Sequence, residues 1–220
     1  MSFRLRIRFT FSLLVVMVVL TACFHQKTPT EKIYDILEKV VVAEKGFEEQ
    51  QEPLVTLERK EKVEYDKIIG LGMKQYDQIV KLSNEAISMV DKRKQYMEKE
   101  TESIKKSKNE FMKIAKLKDE IKDPTIKKQV DNLYDVMMQR YKVHETLYKE
   151  YVKGANGDKK LYQMFKDKNL SIEDLETQVN DLNGTYQKIY NTNLDFNKLT
   201  KSYNVIKVKF YKQAELNKEK

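Results

Sequence analysis

Leu175, Leu182, Ile189, Phe196, Tyr203 and Phe210 stand seven residues apart, and this spacing constrains the chain more than any other feature. A seven-residue interval returns side chains to nearly the same helical face every two turns, so an apolar stripe runs the length of one long helix. Leu199 and Ile206 widen it. Such a stripe needs partner helices, and the rest of the chain offers little else. Only 6 Gly and 3 Pro occur in 220 residues, and charged residues, 35% of the total, interleave with apolar ones at three- and four-residue steps. Strand alternation is missing. The expected fold is all-α: an elongated antiparallel helical bundle, mostly three helices in cross-section, with packing that resembles spectrin-like repeats.

Thr28, Pro29 and Glu31 form a helix start, with Thr28 as N-cap, Pro29 at the first helical position and Glu31 as the return half of a capping box. Ile33, Ile36, Val40, Ala43, Phe47, Leu54 and Leu57 then mark one face. Pro53 is expected to end or sharply bend this first helix, with Leu54 opening the next. No proline follows before Pro124, which predicts a continuous or gently bent helix over residues 54–118. Gly70 and Gly72 are the points at which it would otherwise fold into a hairpin. Asp123 and Pro124 start a further helix carrying Val130, Leu133, Met137, His144, Leu147 and Tyr151. Residues 154–158, Gly-Ala-Asn-Gly-Asp, read as a loop followed by a short helix over 159–168. Ser171 caps the last helix, with Asp174 as its capping-box partner.

The N-terminus carries a different signal. Arg4, Arg6 and Arg8 precede an apolar run that ends in Leu20-Thr21-Ala22-Cys23, the order of a secretory signal, and the last four residues resemble a bacterial lipobox. Residues 9–22 are too short for a permanent span, which needs about 20 apolar residues. Residues 1–22 are therefore expected to be a signal peptide cleaved between Ala22 and Cys23. Residues 23–27 would then be a lipidated tether and residues 28–220 the helical domain. A covalent diacylglycerol on Cys23 would supply two acyl chains, enough for stable anchoring. It would also occupy the only cysteine, leaving no thiol for a disulfide or a nucleophile.

Without the signal, 39 basic residues face 34 acidic ones. This modest excess suits anionic lipid or anionic wall polymers, whereas export and the lack of a concentrated basic stripe argue against nucleic acid. Lys105, Lys106, Lys108, Lys113, Lys116 and Lys118 are the candidate anionic-surface residues. No catalytic residues, metal site or further cofactor are expected, since His144 is the one histidine of the helical domain and His25 lies in the tether. His144 falls on the packing face and reads as a core residue. Tyr76, Tyr151, Tyr186 and Tyr203 also fall on packing faces, where a ring is buried while its hydroxyl reaches a polar partner.

Signal, lipobox, short tether and Lys/Glu-rich helices together resemble the YkyA-type lipoproteins of Gram-positive, Bacillus-like bacteria, a family labelled as cell-wall binding. The resemblance implies a non-enzymatic lipoprotein on the outer face of the cytoplasmic membrane. It would act as a binding or spacer module toward peptidoglycan or anionic wall polymers. The alternative is a binding subunit or regulator of another envelope protein, working through an exposed helix face.

Overall fold

The computed structural model describes residues 27–71 and 73–216, with Met73 as backbone alone. The signal peptide, the cleavage site Ala22/Cys23, the tether up to residue 26 and Gly72 lie outside the described residues. Among the described residues the chain is an all-α bundle without strands, as its periodicity requires. α1 (Pro29–Ala43) opens on the expected box: Thr28 Oγ1 accepts from the Glu31 amide at 3.2 Å, and the Glu31 carboxylate accepts from the Thr28 amide at 2.8 Å.

The first break falls at Glu44, not at Pro53. α2 (Lys45–Gly70) passes through Pro53 without ending. Ser103 explains the position of the break. Its hydroxyl donates to the last carbonyl of α1, Ala43, at 2.6 Å and accepts from the Phe47 amide at 2.9 Å, so one side chain satisfies both helix ends. Gly46 permits the approach, since a Cβ there would lie 3.3 Å from Ser103. Pro53 is tolerated because the carbonyl it leaves without an intrahelical partner, that of Glu49, belongs to an exposed residue and can be met by water.

The long helix expected over residues 54–118 is instead a hairpin. α2 stops at Gly70, Leu71 is extended, and a 3₁₀ turn (Met73–Gln75) leads into α3 (Tyr76–Phe111). Contacts 51–100 and 61–93 run in opposite chain directions, so α2 and α3 are antiparallel. A short α4 (Ile114–Leu117) and a 3₁₀ turn (Lys118–Glu120) reverse the chain into α5 (Pro124–Met164), whose cap Asp123 accepts from the Thr125 and Ile126 amides at 2.7 and 3.0 Å. Ser171 caps α6 (Ile172–Gln213), accepting from the Asp174 amide at 3.0 Å. α1 and α2, which both pack against α3, together with α3, α5 and α6 give four long helical segments in cross-section where three were expected.

Residues 154–158 do not form a loop. They lie inside α5, which continues to Met164 and absorbs most of the short helix expected there. The glycines serve helix contact: a Cβ on Gly154 would meet Ile189 Cδ1 at 3.1 Å, and one on Gly157 would meet Leu182 Cδ2 at 2.7 Å. α5 and α6 thus approach closely at two members of the seven-residue stripe. Substituting Gly157→Leu should separate the two helices and destabilise the chain by about 1–3 kcal/mol in chemical denaturation. A surface loop would absorb the same change without loss.

Candidate functional site

Three apolar clusters stack along the bundle. The largest joins Ile33, Leu37 and Val40 of α1 to Phe111, Ile114, Val130, Leu133, Met137, Tyr203 and Phe210. A small middle cluster holds Leu54, Met97, Leu147 and Tyr151, and the third, at the α2/α3 hairpin, draws its buried members from α2, α3 and α5. Buried charges sit between these clusters.

Between the first two, Arg140 grips both oxygens of Glu44 at 2.8 and 3.0 Å and donates from Nε to Thr200 at 2.8 Å. The residue at the helix break thereby acquires its counter-ion from α5. Next to this pair, His144 Nε2 lies 3.0 Å from Glu100 Oε1, whose other oxygen accepts from Gln51 at 2.7 Å. His144 is fully enclosed, packed edge-on against Phe47 and close to Phe196, consistent with a core role.

Between the second and third clusters lies a group to which all four long helices contribute. Arg93 of α3, 3% exposed, donates to Glu61 of α2 through Nη1, to Asp158 of α5 at 3.3 Å and Tyr186 of α6 at 3.1 Å through Nη2, and to Tyr151 at 3.0 Å through Nε. Tyr162 donates to the second oxygen of Glu61 at 3.2 Å, Tyr186 donates to Asp158, and Tyr151 donates to Glu58 at 2.9 Å. Burial by itself would lower the Arg93 pKa, but the surrounding tyrosine and carboxylate oxygens outweigh it and raise the pKa. Arg93 is a fixed positive charge. It cannot balance both acids: burial pushes Glu61 up to about 7 against the pull of Arg93, and raises Asp158 as well. Because both Glu61 oxygens are held by protein donors, this carboxyl works as a tie between helices rather than as an acid presented to a substrate.

This group forms the floor of a cleft of about 650 Å³ between α2 and α6. The Phe47–Phe196 ring contact, centroids 5.7 Å apart, closes it at one end. One wall is Gln51, Val55, Glu58, Lys62 and Tyr65; the other is Asn183, Tyr186, Tyr190, Asn193 and Asn197. Each wall follows three- and four-residue steps, so each is one straight edge of its helix.

The sequence singled out six lysines elsewhere. Lys105, Lys106 and Lys116 are exposed without an ion-pair partner among the described residues, whereas Lys108, Lys113 and Lys118 pair with Glu145, Glu110 and Asp131 at 2.6, 2.7 and 3.0 Å. The antiparallel fold carries residues 113–118 to the end of the bundle where α1 begins, since Ile114 packs with Ile33. The end of α6 is there too, with the Tyr211 ring tilted against Tyr34, centroids 4.8 Å apart, and its hydroxyl donating to Glu38 at 3.0 Å. Among the described residues no helix is long and apolar enough to cross a membrane, and no three His, Cys, Asp or Glu side chains are grouped to hold a metal.

Among the described residues the chain is thus an all-α bundle with a cleft between two of its long helices. The sequence profile of the YkyA family, described as "Putative cell-wall binding lipoprotein", matches residues 28–213, and the chain belongs to that family. It is 38% identical over 196 residues to the "Uncharacterized lipoprotein YkyA" of Bacillus subtilis (strain 168), spanning 89% of this chain and 87% of that protein. A crystal structure of a conserved Staphylococcus aureus protein of unknown function has the same fold, with a TM-score of 0.72 at 21% identity over 84% of this chain and 96% of that one. The family description names binding and a lipoprotein, not a reaction.

The unbalanced charge at the cleft floor makes stability depend on pH. A carboxyl whose folded pKa is raised from 4.5 to about 7 contributes stability that is complete below 4.5 and lost as pH rises through 7. Thermal melting should therefore fall between pH 5 and pH 8. Glu61→Gln, which keeps an acceptor for Arg93, should flatten that fall; an equally steep profile in the variant would assign the dependence to other groups.

Proposed function

We propose that this protein is a non-enzymatic, lipid-anchored module that stands on the outer face of the cytoplasmic membrane and binds or spans toward the cell wall. The observation that carries the reading is the shared location of three features at one end of the bundle: the start of α1, residues 113–118 and the end of α6. Thr28 follows Cys23 by five residues, so acylation of Cys23 sets this end against the bilayer. Lys113, Lys116 and Lys118 then face the head-group layer, where basic residues gain from anionic lipid.

The cleft belongs to the opposite half. Measured along α1 and α2 at 1.5 Å per residue, it begins roughly 30 Å from Thr28, at Phe47, and ends roughly 55 Å from it, at Tyr65. Anchor, basic base and outward cleft thus form a sequence from membrane to wall. The family description supports the wall as the destination.

Replacing Cys23 by Ala should move the protein from the membrane fraction to the soluble fraction and abolish acyl-chain labelling. The full chain should also pellet with purified wall sacculi. Retention of the variant in the membrane would overturn the anchor, and failure to pellet would overturn the wall-binding reading.

A further inference from the structure

The α2/α6 cleft has a chemical character that neither the family description nor the anchor accounts for. Its outer edges are mostly uncharged: Asn183, Tyr190, Asn193 and Asn197 on α6 face Gln51 and Val55 on α2. Each amide carries both a donor pair and an acceptor. Asn183 and Tyr190 make no hydrogen bond to protein among the described residues, and Tyr190 is 59% exposed. Below these edges the lining is apolar, with Leu54, Met97, Leu147, Leu182 and Ile189. Each wall covers 15 residues, from Gln51 to Tyr65 and from Asn183 to Asn197, so its ends lie roughly 21 Å apart along the helix.

We infer that this cleft is a binding site for an uncharged, N-acetylated saccharide chain. This rests on the wall-facing reading above and assigns it a ligand and a place. A pyranose ring has apolar C–H faces and a rim of hydroxyls, the two surfaces that an exposed tyrosine ring and a row of amides complement. Acetamido groups offer a methyl for the apolar lining and an amide for the asparagines. Charge decides between the polymers of a wall. Glu58, Glu61, Glu100 and Asp158 line the cleft against Lys62 and Arg93, so a polyphosphate chain would meet an acidic excess there, whereas a neutral glycan would not. A partner helix fits less well, because the edges it would cover carry amides and hydroxyls that an apolar stripe would leave unpaired.

Tyr190 and Asn183 are the test positions, since both are exposed and neither holds the buried network. Equilibrium dialysis of the detergent-solubilised full chain against chitin tetrasaccharide should detect binding. Tyr190→Ala and Asn183→Leu should each weaken it, the loss of the stacked ring by about tenfold, with melting unchanged. Lys128→Ala, exposed and outside the cleft, should bind as the wild type. Absence of tetrasaccharide binding, or equal binding by Tyr190→Ala, overturns the site. If sacculi retain wild type and Tyr190→Ala alike, the wall reading stands and the cleft assignment falls. Tetrasaccharide binding without sacculus retention reverses that outcome. Dissociation of a dimer by Tyr190→Ala, with saccharide binding unaffected, would show that the cleft takes a second copy of the chain and would likewise overturn the proposal.

Discussion

A guanidinium buried among four helices is tolerated only if each of its nitrogens is met, and Arg93 fulfils this condition with donations to α2, α5 and α6. Removing one partner from such a group leaves an uncompensated charge in a dry interior, at a cost of about 3–5 kcal/mol. Apolar stripes alone would let neighbouring helices slide by a turn, because one leucine replaces another at little cost. The Arg93 group does not permit that, since Glu61, Asp158 and Tyr186 must all arrive at one level. Arg140 with Glu44 and Thr200 sets a second level, and His144 with Glu100 and Gln51 a third. These polar levels separate the apolar clusters, and we regard them as the register marks of the bundle.

The same interactions shape the cleft. Ser103 and Arg140 fix the junction of α1 and α2, so α2 leaves it in a defined direction toward the hairpin. Gly154 and Gly157 draw α6 tightly onto α5. With α2 held on α3 and α6 held on α5, the remaining faces of α2 and α6 look at each other across an opening, and the floor of that opening is the Arg93 group. Register and site therefore share residues. Changes that loosen the buried ties should alter the walls of the cleft as well as stability.

Much of the fold was legible. The capped starts at Thr28, Asp123 and Ser171 and the heptad of α6 depend on local chemistry and reappear in the structure. The misreadings share one cause: tertiary contact overrode a local signal. Pro53 continues a helix because the carbonyl it strands faces water, whereas Glu44 breaks one because Ser103 and Arg140, distant in sequence, satisfy the exposed ends and the charge. Gly154 and Gly157 resemble a loop in sequence, yet they are small because another helix lies on top of them. Gly70 supported two readings, and the choice between rod and hairpin depended on whether the α2 stripe had a surface to cover. The cleft group was missed although a signal existed. Arg93 lies between Val90 and Met97 on the packing face of α3, and Glu61 lies between Leu54 and Ile68 on that of α2, so charges stand where periodicity demands apolar residues. Such intrusions mark buried pairs, and only the structure joins them across 32 residues of chain.

The central claim, that buried charges tie the helices together, is tested most directly by a double-mutant cycle between Arg93 and Glu61. Arg93→Met, Glu61→Leu and the double variant would be unfolded by denaturant at pH 8, where Glu61 is ionised. The account predicts a coupling of about 1–3 kcal/mol, with the double variant more stable than the sum of the single losses allows. Additivity within about 0.5 kcal/mol would mean that the two groups do not act together, and would contradict the account.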